Sequence, residues 1–164
     1  MCYTHNMVIL GIDPGTAMTG YGLIDCTKEK VKLIKHGSIK TVNDHDSSFR
    51  LNLIYNEAKG IIKKYKPEVL AIESLFFSNN VKSASAVGQA IGVMKLAAER
   101  GDIRVFEYPP LKIKMKLVGS GRAEKSEVQS KVRKYLRLRK IPRPTHAADA
   151  LAAAICHWIE INKV

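Results

Sequence analysis

This 164-residue sequence has few cysteines, few acidic residues and no long apolar run, and each shortage excludes a class of protein. Its three cysteines, Cys2, Cys26 and Cys156, lie far apart and form no CxxC pair, which argues against a zinc site or a disulfide framework. Reduced thiols are the default in a cytoplasm, so we expect a cytoplasmic protein. No apolar run reaches the ~18 residues that a membrane span needs, and the first ten residues do not resemble a signal peptide.

Acidic residues are outnumbered by basic residues, 15 to 27, which gives a formal net charge of +12. The excess is local, because residues 111–143 contain twelve Lys or Arg against Glu124 and Glu127, a net charge of +10. A local basic surface predicts an anionic partner, with nucleic acid ahead of a membrane surface.

The length predicts one domain over residues 1–164, with residues 1–6 as a loose extension. Apolar periodicity and turn residues predict strands at residues 8–13, 17–25, 31–40, 68–73 and 102–107. They predict helices at residues 49–66, 81–100, 109–118, 123–138 and 146–159, with serines capping the first helix and Thr145 capping the last. We expect an α/β fold in which the first three strands form an antiparallel meander.

Two predicted strands end in a carboxylate. The first ends at Asp13, directly before Pro14 and Gly15, and the strand at residues 68–73 ends at Glu73. Asp13 is either a functional acid held at a strand end or a residue that only caps an Asp-Pro-Gly turn. A helix separates the two strands, as parallel pairing requires, so Asp13 and Glu73 would meet at one edge of the sheet.

The last predicted helix carries His146 and Asp149 three residues apart, and therefore on one face. Six alanines around them make the helix slim enough to pack closely on a sheet and to bring both side chains to the acidic edge. Three carboxylates in one place repel one another unless a cation joins them, and oxygen ligands suit Mg²⁺ or Mn²⁺. Two such ions ~4 Å apart would serve phosphodiester hydrolysis.

Other features have two interpretations. The Phe76–Phe77 pair beside Glu73 is either core or an aromatic that stacks on an unpaired base, with Phe76 ahead. Ala84, Gly88 and Gly92 share a helix face that either packs tightly on the sheet, the slightly favoured interpretation, or forms a dimer contact.

Two rival functions are consistent with part of the pattern. An actin-like phosphate-handling enzyme also has an Asp-x-Gly-Thr turn after its first strand, but it needs a second glycine loop and a larger chain. A DNA-binding module without catalysis explains the charge but not three acids at element ends.

Several motifs occur in one order along the chain: GIDPGTAMTGYG (11–22), AIESLFFSNN (71–80), GQAIGV (88–93), VGSGRAEKSEVQ (118–129) and THAADALAAAICH (145–157). With these motifs the sequence resembles the RuvC family of Holliday junction resolvases over nearly all of residues 7–159. The resemblance implies an RNase H-like fold, with a mixed central sheet flanked by helices, and a homodimer. It also implies symmetric nicking of two strands of a four-way DNA junction with Mg²⁺ or Mn²⁺, and contacts with a branch-migration helicase complex.

The same resemblance implies roles for individual residues. Asp13, Glu73, His146 and Asp149 would be the catalytic and metal-binding residues, and Phe76 would be the aromatic that wedges into the junction. Lys114 and Lys125 would lie near the scissile phosphate, and Arg122 would contact DNA. Many members of the family have Asp where His146 stands, while others have His. Imidazole is a softer ligand than carboxylate, so we expect Mn²⁺ to be preferred over Mg²⁺.

Overall fold

The computed structural model describes residues 6–42, 46–75 and 81–162, except for the side chain of Val81. The strands in these ranges are β1 (Met7–Asp13), β2 (Met18–Cys26), β3 (Val31–Lys40), β4 (Val69–Glu73) and β5 (Arg104–Tyr108). The helices are α1 (Ser47–Tyr65), α2 (Val81–Glu99), α3 (Pro110–Val118), α4 (Lys125–Tyr135) and α5 (Thr145–Asn162).

The strands form one mixed sheet in the order β3-β2-β1-β4-β5. Strands β1, β2 and β3 pair antiparallel, which confirms the predicted meander. Strand β4 pairs parallel with both β1 and β5. Ile12 lies opposite Ile72 in the β1–β4 register, so the residues that follow them, Asp13 and Glu73, lie at the same edge. Strands β1 and β4 are therefore adjacent, as the predicted site requires.

The sheet is covered on both faces. Successive residues of β1 point to opposite sides, with Ile9 in a core shared with α3, α4 and α5, and Leu10 in a core shared with α1 and α2. A strand buried on both faces is continuously apolar rather than alternating, which is the pattern of residues 8–12.

Two helices begin differently from the prediction. Helix α1 begins at Ser47 and is capped by Asp46, whose Oδ1 accepts a hydrogen bond from the Phe49 N–H at 2.7 Å. The predicted serine caps are wrong because an aspartate, an equally good cap, precedes them. Thr145 is the first residue of α5 rather than its cap, and α5 continues to Asn162. Among the described residues, no helix is both long and apolar enough to cross a membrane.

Helix α4 is shorter than predicted. It begins after Glu124, whose N–H donates to the Glu127 carboxylate at 2.7 Å, and it ends at Tyr135. The chain then reverses through Arg137, which has a left-handed backbone with φ of 52°. This reversal lets the Leu138 N–H donate to the Arg133 carbonyl at 2.9 Å, which closes the end of the helix.

The small-residue face of α2 does not pack tightly on the sheet. A methyl group added at Gly92 would meet nothing within 4 Å among the described residues, and one at Gly88 would touch only the Leu75 side chain, at 3.4 Å. The slightly favoured interpretation, close packing on the sheet, is therefore wrong at Gly92.

Candidate active site

Asp13 is held at the end of a rigid strand by the turn that follows it. The Thr19 hydroxyl donates to the Gly15 carbonyl at 2.6 Å and closes this turn. A Cβ at Gly15 would lie 2.5 Å from the Met18 carbonyl oxygen, so the turn requires glycine there. The Asp13 side chain keeps 18% of its surface exposed, which leaves the carboxylate accessible although the strand is buried.

Helix α5 reaches the site because glycines of the sheet let its backbone come close. A Cβ at Gly11 would lie 1.9 Å from the Ala150 carbonyl oxygen, and a Cβ at Gly20 would lie 2.0 Å from the His146 carbonyl oxygen. A Cβ at Gly22, which is paired with Gly11 across β1 and β2, would lie 2.5 Å from the Leu151 side chain. The first turns of α5 therefore rest directly on β1 and β2.

This contact brings together three side chains of types that can bind a metal ion. His146 Nδ1 lies 2.6 Å from Asp13 Oδ2, a distance at which the carboxylate accepts the imidazole N–H. One ligand atom each from Asp13, His146 and Asp149 lies within 4.8 Å of the others. His146 and Asp149 therefore lie on one face of α5, as predicted, and this face contacts Asp13 at the end of β1.

Glu73 lines the same cavity, which has a volume of about 350 Å³, but it lies outside the three-residue cluster. Burial raises the pKa of Glu73 to about 7, and the carboxylates of Asp13 and Asp149 add to the rise. Burial also raises the pKa of Asp13, with a further rise from Asp149 and an opposing hydrogen bond from His146. The acids therefore repel one another across a shared cavity.

Two basic residues that line the same cavity offset this repulsion. Lys125 Nζ lies 2.6 Å from Asp149 Oδ2, and Lys114 lines the cavity beside it. Both lower the pKa of Glu73 through their charge. Arg122 is exposed and does not line the cavity, and Phe76 lies outside the described residues.

The donor set fits a hard divalent cation. Three carboxylates supply oxygen ligands and the fourth group is an imidazole, a set compatible with Mg²⁺ or Mn²⁺. The raised pKa values of Asp13 and Glu73 arise from burial and mutual repulsion, and a bound cation would relieve the repulsion. Asp13, His146 and Asp149 could hold one ion directly, and Glu73, which lines the same cavity, could supply a ligand to a second ion.

The sequence prediction missed two features of this region. Gly11, Gly20 and Gly22 were not recognised as the contact surface for α5, although three glycines in two predicted strands are a signal of close backbone approach. The second missed feature is a structural use of the basic segment. Lys112 and Lys116 both bind the Glu160 carboxylate at 2.9 Å and tie α3 to α5.

Comparison with known proteins identifies relatives along almost the whole chain. Residues 9–157 match the family model described as crossover junction endodeoxyribonuclease RuvC. The crossover junction endodeoxyribonuclease RuvC of Halothermothrix orenii is 48% identical over 151 residues, which cover 92% of each chain. The protein of the same name from Heliobacterium modesticaldum is 48% identical over 150 residues, covering 92% of this chain and 93% of its own.

Solved structures of Holliday junction resolvases are also similar to this chain. Thermus thermophilus RuvC in complex with a Holliday junction substrate superposes with a TM-score of 0.91 at 34% identity, covering 96% of both chains. The yeast mitochondrial Holliday junction resolvase Ydc2 shares the fold, with a TM-score of 0.67 at 13% identity over 94% of this chain and 80% of its own.

Proposed function

This chain belongs to the RuvC family of crossover junction endodeoxyribonucleases, and we propose that it resolves four-way DNA junctions by metal-dependent hydrolysis of phosphodiester bonds. It has the RNase H-like fold of that family. The observation that carries the proposal is the convergence of Asp13, His146 and Asp149, from a strand end and a helix start, in one cavity with Glu73 and two lysines. That arrangement matches a nuclease centre better than a DNA-binding surface without chemistry.

Asp13, Glu73, His146 and Asp149 are the residues that would hold Mg²⁺ or Mn²⁺, and we propose two ions per site. When bound, such ions supply an activated water and stabilise the oxygen that leaves the phosphorus. The chain's own contribution is rigidity, because strand β1 fixes Asp13 and the glycine contacts fix His146 and Asp149 against it. Side chains held in this way need no rearrangement when the substrate arrives.

The lysines would position the substrate. Lys125 and Lys114 line the same cavity as the acids, where their charges would attract a phosphate and offset its negative charge. Lys125 would have to exchange its contact with Asp149 for one with phosphate, and its side chain is 57% exposed, so it is free to move. Arg122 is proposed as a DNA contact outside the cavity, and Phe76 as the junction-wedging aromatic on the resemblance alone.

The proposed assembly is a homodimer of single-domain subunits, because two symmetric nicks in a four-way junction need two active sites. The exposed face of α2 around Gly88 and Gly92 is the proposed contact. Partnership with a branch-migration helicase complex and a cytoplasmic location are further proposals that rest on the family.

The decisive experiment compares Asp13→Asn with Asp102→Asn on a four-way junction and on linear duplex, in Mg²⁺ and in Mn²⁺. Asp13→Asn should bind the junction normally but lose at least about a thousandfold in cleavage rate, since it removes a ligand worth several kcal/mol to the transition state. Asp102, an exposed acid in the turn before β5, has a left-handed backbone that asparagine also adopts, so Asp102→Asn should cleave normally.

The wild type should cleave the junction in preference to the duplex, and should do so faster with Mn²⁺ than with Mg²⁺ at matched concentrations. Preserved cleavage in Asp13→Asn would remove this cluster from the mechanism. Equal or better cleavage with Mg²⁺ would remove the proposed role of His146 in metal choice.

A further inference from the structure

The basic segment at residues 111–143 is not one surface, because its parts serve different purposes. Lys112 and Lys116 both form ion pairs with Glu160, and Lys125 is paired with Asp149 in the catalytic cavity. The cations that follow α4 face elsewhere and have no part in the site described above.

These later cations line a groove between the edge strand β3 and the chain that connects α4 to α5. The groove consists of two adjoining depressions of about 560 and 460 Å³, which share Leu33 and Leu138 as lining residues. We call it the basic groove and define it by its cations: Lys30, Lys32, Lys134, Arg137, Arg139, Lys140 and Arg143. Glu29 is the one acidic residue among the described residues that line it.

The basic groove has a net positive charge, because its seven cations face one described carboxylate, that of Glu29. None of the seven cations forms an ion pair with a described carboxylate, unlike Lys112, Lys116 and Lys125. Like charges held side by side repel, so an arrangement of this kind is stabilised when an extended anion lies across it.

The groove leads away from the catalytic cluster. Arg143 lines one end and precedes His146 by three residues, while Lys30 and Lys32 line the other end. The stretch of β3 along it, from residue 31 to residue 36, is ~17 Å long at ~3.3 Å per residue. Each DNA strand advances ~3.4 Å of helix axis per phosphate, so this length spans about five base pairs of a duplex whose axis runs along it.

Arg137 shows that charge is kept here at a conformational cost. It occupies the left-handed position after the C-cap of α4, which glycine ordinarily fills, with φ of 52°. A side chain with a Cβ is strained in this conformation, because the Cβ comes too close to the following carbonyl oxygen. The position therefore carries an arginine where glycine would suit the fold better.

We propose that the basic groove binds the sugar–phosphate backbone of one duplex arm of the DNA substrate, as a site separate from the catalytic cavity. The inference rests on the proposed function, since it assumes a branched DNA substrate. It adds a site that steadies an arm along β3 while the strand exchange point lies at Asp13, His146 and Asp149.

Arg137→Gly tests this with a built-in control for folding. Glycine relieves the left-handed backbone, so the variant should unfold at the same temperature as the wild type or a higher one. Its affinity for a long-armed junction should nevertheless fall about fivefold at 0.15 M salt, and the slope of log K against log salt should shrink by about one phosphate contact. Arg137→Lys keeps the charge and should bind like the wild type.

Lys66→Gly is the matched control. Like Arg137, Lys66 is an exposed basic residue in a left-handed position after a helix, with φ of 47°, but it follows α1, whose core lies on the opposite face of the sheet. The Lys66→Gly substitution removes one positive charge and relieves a left-handed backbone as Arg137→Gly does. Because Lys66 lies outside the basic groove, junction affinity and salt slope should stay at wild-type values. The single-turnover cleavage rate at saturating enzyme should be unchanged in all these variants, which separates this test from that of Asp13.

Two results would overturn the proposal. Equal loss of affinity in Lys66→Gly and Arg137→Gly would mean that net charge acts without a defined groove. Unchanged affinity and salt slope in Arg137→Gly would exclude a DNA arm and leave an acidic protein surface as the alternative occupant.

Discussion

His157 is a buried histidine with an environment that keeps it neutral. Only 1% of its surface is exposed, its Nδ1 lies 2.7 Å from the Tyr108 hydroxyl, and its Nε2 has no hydrogen-bond partner among the described residues. Burial lowers the pKa of His157 to about 4; the charge of Arg104 lowers it further, and Glu160 opposes both. Glu160 is itself held by Lys112, which also lies 5.4 Å from the Tyr108 ring centroid.

His157 should make the fold sensitive to mild acid. Between pH 6.5 and 4 the unfolded chain binds a proton at this residue that the folded chain does not, so the free energy of unfolding falls as pH falls. The loss over this window is about 3 kcal/mol, from a shift between ~6.5 unfolded and about 4 folded. Its contribution is fully present above pH 6.5.

Urea unfolding of the wild type and His157→Gln over pH 4–8 measures this contribution. Glutamine can bond to the Tyr108 hydroxyl but does not titrate, so its stability should depend less on pH, with the wild-type advantage shrinking by about 3 kcal/mol toward pH 4. All other titrating groups are common to both proteins. A difference in stability that stays constant from pH 7.5 to pH 4.5 would contradict the assignment.

The candidate metal ligands could be proposed from single residues because each occupies a position that local rules define. Asp13 and Glu73 end apolar runs, and His146 and Asp149 have helical spacing. Those rules do not predict that the four residues are placed differently, with Glu73 outside the cluster of Asp13, His146 and Asp149. That difference depends on side-chain placement across elements, which no local pattern encodes.

At the scale of elements, α5 determines the site through its contact with β1 and β2. The alanines of α5 predicted a slim helix, but the matching glycines of the sheet belong to other elements 120 or more residues away. Strand pairing could be predicted, since a helix between β1 and β4 favours a parallel pair. The distance between α5 and the sheet could not be predicted, because it depends on which glycines of the sheet face the helix.

Gly20→Ala should therefore damage catalysis more than the fold. The new methyl would lie 2.0 Å from the His146 carbonyl oxygen, so the start of α5 must move by about an ångström and carry His146 and Asp149 with it. Misplacement of that size costs about a hundredfold in rate. Single-turnover cleavage of a junction measures it.

Gly60→Ala is the control for Gly20→Ala. Gly60 is exposed in the middle of α1 and has nothing within 4 Å of an added Cβ, so the variant should gain about 0.4–1 kcal/mol of stability. Its cleavage rate should be that of the wild type. If Gly20→Ala cleaves as fast as Gly60→Ala, the close contact between β2 and α5 does not set the geometry of the site.

At the scale of the whole molecule, the proposed DNA-binding sites and the proposed dimer contact lie on different faces of the sheet. The catalytic cavity and the basic groove are built from α3, α4, α5 and the strands beside them, whereas α2 covers the opposite face of the sheet. On α2, Gly92 is open and Leu96, one turn later, is 50% exposed. A small residue next to an exposed leucine suits close approach by a second helix.

Gly92→Arg should convert a dimer into a monomer without unfolding it. An arginine here would be exposed in the monomer but buried without a partner charge in the dimer, which weakens association by about 3–5 kcal/mol, or more than a hundredfold. Gly60→Arg makes the same substitution on α1 at another open glycine and should stay dimeric. Sedimentation analysis gives the association constants.

Cleavage of a supercoiled plasmid that carries a cruciform measures the effect of the lost dimer on the two nicks, because paired nicks yield linear DNA and independent nicks yield open circles. Gly92→Arg should yield mainly open circles, and linear product at the wild-type rate from this variant would show that α2 is not the contact through which the two nicks are coupled.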